Sequence, residues 1–214
     1  MLINERGYAG IITSMRSYYS IYGSYLYEKH RFVHYKVMEI TNMTGYSDTR
    51  PLFSDDASII YYNINVINKG NKIKEAKMEV SKFDDKLHFY VYAEMEKMFK
   101  PMEYIVTDVE LIIHDPGLKN LEKLIRERRL YFIENSNYPV KKFTAIFKMP
   151  LPNFDVEVLS AENYNPGDLP DSYVISKEYM KFVKSNSVVL KTSLKPKIGY
   201  FFVVKGSIYE SLYR

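Results

Sequence analysis

The chain has 214 residues, 46% of them hydrophobic, and carries a formal net charge of +4 from thirty Lys and Arg against twenty-six Asp and Glu. That composition belongs to a globular chain with a sizeable core, and the interleaved signs give no massed basic surface of the kind nucleic-acid binders use. No cysteine is present, which excludes disulfides, thiolate nucleophiles and thiolate metal sites and fits a reducing, cytoplasmic compartment.

Residues 12–28 are expected to be helical, because Met15, Tyr18, Tyr19, Tyr22 and Leu26 recur at helical spacing. Residues 1–31 would then form a helical N-terminal arm. Phe32 to Ile40 reads as a strand, and Thr41 to Asp56, rich in Asn, Gly, Ser and Asp, reads as a long loop. An antiparallel meander follows, with strands at 59–67 and 73–80 and turns at 68–71 and 83–86. Its third strand, Leu87 to Met95, alternates Leu87, Phe89, Val91, Ala93 and Met95 with His88, Tyr90, Tyr92 and Glu94, so one face is dry and the other wet.

Tyr104 to Ile113 supplies another strand. Asp115-Pro116 then opens a helix: the Asp caps free amides, the Pro suits the first position, and Leu118, Leu121, Leu124 and Ile125 make the apolar stripe. Strands are expected at 130–133, 142–149 and 154–159. A polar loop at 162–171 and a short helix at about Ser176 to Lys184 come next, and strands at 187–191 and 199–205 close the chain. The sum is an α+β fold, predominantly antiparallel β-sheet of about nine strands with two or three helices packed on it. One domain spans 1–214, with 134–141 as the place for any boundary. No run approaches the roughly 18 apolar residues of a membrane span, and Met1 to Gly10 lacks the order of an export signal.

No phosphate loop, nucleophile elbow, H-E-x-x-H or dinucleotide fingerprint occurs, so the cheapest signs of the common enzyme classes are missing. Four weaker constellations remain. Glu75-Ala76-Lys77 downstream of Asp55 and Asp56 matches the order in which restriction-like nucleases place a cation-binding carboxylate pair and a lysine, although Glu75, Lys77 and Glu79 also make an ordinary solvated face. His30 and His34 are half of a zinc site, and hydrogen-bonded histidines are the favoured reading. Tyr18, Tyr19, Tyr22, Tyr25, Tyr27 and Tyr35 alternate with Arg16, Lys29, Arg31 and Lys36, as a single-strand nucleic-acid binder would, but packing explains the stripe better. Arg126, Arg128 and Arg129 would meet an acidic partner or stand as a solvated helix end.

Twenty-one tyrosines without a tryptophan follow in part from AT-rich coding; beyond that, tyrosine gives recognition surfaces amphipathic contact area at low entropic cost. The resulting expectation is a non-enzymatic protein that binds another protein, or a second copy of itself, through Tyr18, Tyr22, Tyr25, His88, Tyr90, Tyr92, Arg126 and Arg129. Toxin-neutralising immunity proteins and phage or viral assembly components share that profile. No metal, cofactor or membrane partner is expected. The alternatives are a metal-dependent nuclease using Asp56, Glu75 and Lys77, and nucleic-acid binding through the N-terminal segment.

Overall fold

Period-two patterning governs nearly the whole chain in the computed structural model, which describes residues 10–36, 41–83, 85–127, 129–151, 154–162, 176–178, 183–184 and 187–206. Fourteen strands form three sheets among these residues. In chain order they are β1 (Gly10–Tyr22), β2 (Tyr25–Lys36), β3 (Met43–Pro51), β4 (Ser58–Ile67), β5 (Ile73–Phe83), β6 (Lys86–Met95) and β7 (Tyr104–His114), then β8 (Tyr131–Glu134), β9 (Val140–Lys148), β10 (Phe154–Glu162), β11 (Ser176–Glu178), β12 (Val183–Lys184), β13 (Ser187–Leu194) and β14 (Ile198–Gly206). A seven-stranded sheet runs β12-β13-β9-β1-β2-β7-β4, a four-stranded sheet β11-β10-β14-β8 and a three-stranded sheet β3-β6-β5. Every pairing is antiparallel except β1 with β9.

The α+β expectation is therefore corrected to a mostly β fold. Where an N-terminal helix was expected, β1 and β2 form a hairpin at the centre of the large sheet, with β1 also paired to β9 and β2 to β7. Gly23, at φ +59°, and Ser24 make its two-residue turn between the directly paired Tyr22 and Tyr25, a geometry for which glycine carries no steric cost. Met15, Ser17, Tyr19 and Ile21 are all buried, and their spacing is two, not 3.6. The expected loop at 41–56 contains β3. Of the expected helix at 176–184, residues 176–178 and 183–184 are strand, and the rest lie outside the described residues.

One expected helix is present in shortened form. Asp115 Oδ1 accepts the Gly117 N–H at 2.9 Å, a 3-10 turn covers Pro116–Asn120, and α1 runs only over Leu121–Arg126. Leu118, Leu121, Leu124 and Ile125 are buried as the stripe required. Between the sheets lies a core dense in aromatic rings, with Tyr19, Phe99, Phe132, Phe143, Phe147, Phe154 and Phe202 fully enclosed. No helix among the described residues is long and apolar enough to cross a membrane.

Candidate binding site on the three-stranded sheet

The three-stranded sheet carries polar side chains on both faces, because alternation sends Tyr46, Asp48 and Arg50 of β3 inward beside the apolar residues of β6, and Gly45, Ser47 and Thr49 outward. Inward, Arg50 is the hub of a network joining all three sheets. Its Nε and Nη2 donate to the two oxygens of Glu28 on β2 at 2.6 and 3.0 Å, and its Nη1 meets Asp48 at 2.5 Å. The same guanidinium donates to the Ile133 carbonyl on β8 at 3.2 Å and to the Tyr46 hydroxyl at 3.2 Å. Tyr46 in turn donates to Asp48, and Tyr19 on β1 donates to Glu134 on β8. His30 completes the group, with Nδ1 at 3.0 Å from Ser17 Oγ, Nε2 at 3.2 Å from Glu28 and its ring stacked on Tyr46 at 4.1 Å.

Charge is not shared evenly within this network. Burial pushes the Glu28 carboxyl up, but Arg50 and the His30 hydrogen bond outweigh it and hold Glu28 at about 2. Asp48 has the opposite outcome: burial, with the Glu134 and Glu28 charges, overrides the pull of Arg50 and raises it to about 7. A single guanidinium cannot neutralise three carboxylates. Burial, then the Glu134 charge, drives the Tyr19 hydroxyl well above its ordinary value, so it remains a donor. Among the described residues no buried side-chain nitrogen or oxygen lacks a hydrogen-bond partner. The network is closed, and it serves to dock three sheets in one register.

Outward, the same strands form a cavity of about 440 Å³ lined by Ser47, Asp48, Thr49, Glu79, Val80, Ser81, His88, Phe89, Tyr90 and Asn135. That volume falls within the range of small-ligand and side-chain pockets. Register sets Thr49 opposite His88 and Ser47 opposite Tyr90 on one side, and Ser81 opposite His88 and Glu79 opposite Tyr90 on the other. Thr49 Oγ1 lies 2.9 Å from His88 Nδ1, and Tyr92 donates its hydroxyl to Glu79 at 3.1 Å. Tyr90 and Tyr92 stack with ring centroids 4.7 Å apart. Gly45 lies opposite Tyr92, and a Cβ there would fall 2.4 Å from the Val91 carbonyl and 2.8 Å from the Tyr92 Cβ, so only glycine lets the strands close beneath that ring. Ser47, Glu79, Ser81 and Asn135 are exposed around the rim.

The residues expected to bind fall on three separate surfaces. His88, Tyr90 and Tyr92 stand together at the cavity. Tyr18, Tyr22 and Tyr25 share the outer face of the β1–β2 hairpin, with Tyr18 edge-on to Tyr27 at 5.9 Å. Arg126, the last residue of α1, and Arg129 beyond it are exposed, and Arg129 lies 4.0 Å from Glu127; Arg128 is outside the described residues. Of the basic side chains interleaved with the hairpin tyrosines, Lys29 is matched with Glu110 and Arg31 with Asp108 across β2–β7, and of the tyrosines Tyr19 is buried while Tyr22 and Tyr25 are exposed.

The nuclease constellation is not brought together. Lys77 pairs with Glu75 at 2.7 Å on an exposed strand, whereas the Asp55 carbonyl accepts from Lys82, seven residues or roughly 23 Å further along β5. Asp56 is exposed beside Asp55. His30 and His34 are hydrogen-bonded, the latter to Thr107 and Thr44 at 3.2 and 3.3 Å, and among the described residues no group of three His, Asp or Glu could hold a metal. Sequence reasoning missed Glu28, Asp48, Arg50 and Glu134, and it also missed Ser47, Thr49, Ser81 and Asn135. Gly23-Ser24 between two β-rich runs was the signal that could have exposed the hairpin carrying Glu28.

No family model matches the chain, nor does any curated protein sequence. Among solved structures it is similar to a putative protease from Parabacteroides distasonis (TM-score 0.46, 9% identity, covering 93% of this chain and 41% of that one). It is also similar to native yeast LTA4 hydrolase (0.40, 9%, 92% and 29%) and to an M1 zinc metallopeptidase from Deinococcus radiodurans (0.39, 7%, 91% and 42%). The chain spans between 28% and 43% of the length of such structures. These are peptidases and hydrolases, and none is an immunity protein or a phage or viral component. At these TM-scores and identities, the likeness carries no activity to this chain.

Proposed function

We propose that the chain is a non-enzymatic, cytoplasmic protein-binding domain whose site is the outer face of the β3-β6-β5 sheet. The observation that supports this is the cavity, where Tyr90, stacked on Tyr92, stands beside a rim of Ser47, Glu79, Ser81 and Asn135. Aromatic area bordered by exposed donors and acceptors is the composition of a recognition surface, with the rings excluding water and the rim fixing orientation. A partner side chain would enter the cavity while its backbone met the rim. Hydrogen–deuterium exchange on the complex captured from the native host tests this. Protection is expected at 45–49, 77–81 and 88–92. Protection confined to the outer face of β1 and β2 would contradict it.

A further inference from the structure

We infer that β5 is an interface to a second copy of this chain, pairing antiparallel with its counterpart about a twofold axis at Met78. This goes beyond the binding reading above, since it uses the strand's edge and not the face of the sheet. β5 ends the three-stranded sheet, and among the described residues no strand bonds to its outer edge. Along its eleven residues only Ile73 and Met78 are even partly covered, and Val80 and Phe83 are 45% and 67% exposed. An open edge of this length is a template for another strand unless something blunts it.

Overlap selects the register, and the charges at the centre of β5 fit it. A twofold axis normal to the sheet keeps each residue opposite one of the same face, so the axis must pass through a residue and not between two. Met78 is the midpoint of Ile73–Phe83, so centring there gives the fullest overlap. That register sets Lys77 opposite Glu79 of the second copy, twice by symmetry, and Ala76 opposite Val80. It places Glu75 opposite Ser81 and, further out, Lys74 opposite Lys82 at both ends. Moving the axis to Lys77 would face Glu75 with Glu79 and Lys77 with itself; moving it to Glu79 would face that carboxylate with itself. Like charges directly opposed on a sheet are unfavourable.

At those ends each facing lysine is held by a partner in its own chain. Lys74 pairs with Glu94 at 2.8 Å, and Lys82 donates to the Asp55 carbonyl at 2.8 Å. The product is a continuous six-stranded sheet in which Ala76, Met78 and Val80 of both copies form one apolar strip on the inner side, and Lys77 of each copy stands beside the Glu79 that lines the other's cavity.

Sedimentation velocity on the full chain over a concentration series tests the pairing. The wild-type chain is expected to shift from 25.3 kDa towards twice that mass as concentration rises. Lys77→Glu and Glu79→Lys each place two like-charge pairs at the axis and should weaken association by about tenfold or more. The K77E/E79K double variant restores both pairs and should dimerise as the wild type does. An equimolar mixture of the two single variants should form a mixed dimer, which also shows that each single variant is folded. A wild-type chain that stays at 25.3 kDa up to its solubility limit, or a dimer indifferent to both single reversals, would overturn the proposal.

Discussion

On the inner side of the three-stranded sheet, every N–H of Arg50 is directed at a protein acceptor, whereas three residues away along β3 Ser47 stands exposed at the mouth of a cavity. Both sides carry polar side chains of β3, and they do opposite things with them. Inside, donors and acceptors cancel one another and fix how three sheets dock; outside, Glu79, Ser81 and Asn135 keep hydrogen-bonding capacity for something not in the chain. Recognition and stability are thus separable across the thickness of one sheet, and substitutions on the two sides should have different consequences.

The largest effect is expected from Arg50. Replacing it with Met leaves Glu28 and Asp48 buried without their cation, a change that costs about 3–5 kcal/mol when one partner of a buried pair is removed. Urea unfolding reads this directly. A loss under about 1 kcal/mol would mean that the network is not what docks the sheets.

Titration sharpens the same contrast at a smaller scale. Asp48 has a folded value of about 7 against an ordinary 3.8, so its contribution is complete at low pH and is lost as pH rises through about 7. His34 is lowered to about 4 from 6.5 by burial and by the Lys36 charge, so its contribution is complete above 6.5 and is lost as pH falls through about 4. Between those limits the two slopes oppose each other, and wild-type stability should change little. Asp48→Asn should expose the His34 slope, with stability rising by on the order of 2 kcal/mol from pH 4 to 6.5. His34→Gln should expose the reverse slope. Unfolding curves as flat in both variants as in the wild type would contradict the assignment. Smallest of all should be Tyr92→Ala, whose ring is half-buried over Gly45 and whose hydroxyl bonds only an exposed glutamate; about 1 kcal/mol is expected from thermal unfolding.

The network also explains what could and could not be read from the sequence. Strands β6 and β7 were legible because their inward residues, Thr107 apart, are apolar at every second position, and the wet-face trio His88, Tyr90 and Tyr92 followed from that alternation in β6. β1, β3 and the part of β2 before Phe32 were not, because Ser17, Glu28, His30, Asp48 and Arg50 put polar side chains where an inward pattern calls for apolar ones. Period two was thereby broken, and in β1 the tyrosines left a false helical spacing. Asp115 and Pro116 marked the start of α1 because capping is local, but nothing local fixes where so short a helix stops. Asn135 reaches the cavity only through the meeting of β8 and β3, which no short-range pattern encodes.

The most direct measurement is paired: partner capture from the native host and the thermal midpoint, both on Tyr90→Ala. The account predicts that capture is lost while the midpoint stays within a few degrees of wild type, because the ring serves the outer face and not the inner network. Undiminished capture by a folded Tyr90→Ala chain would contradict it.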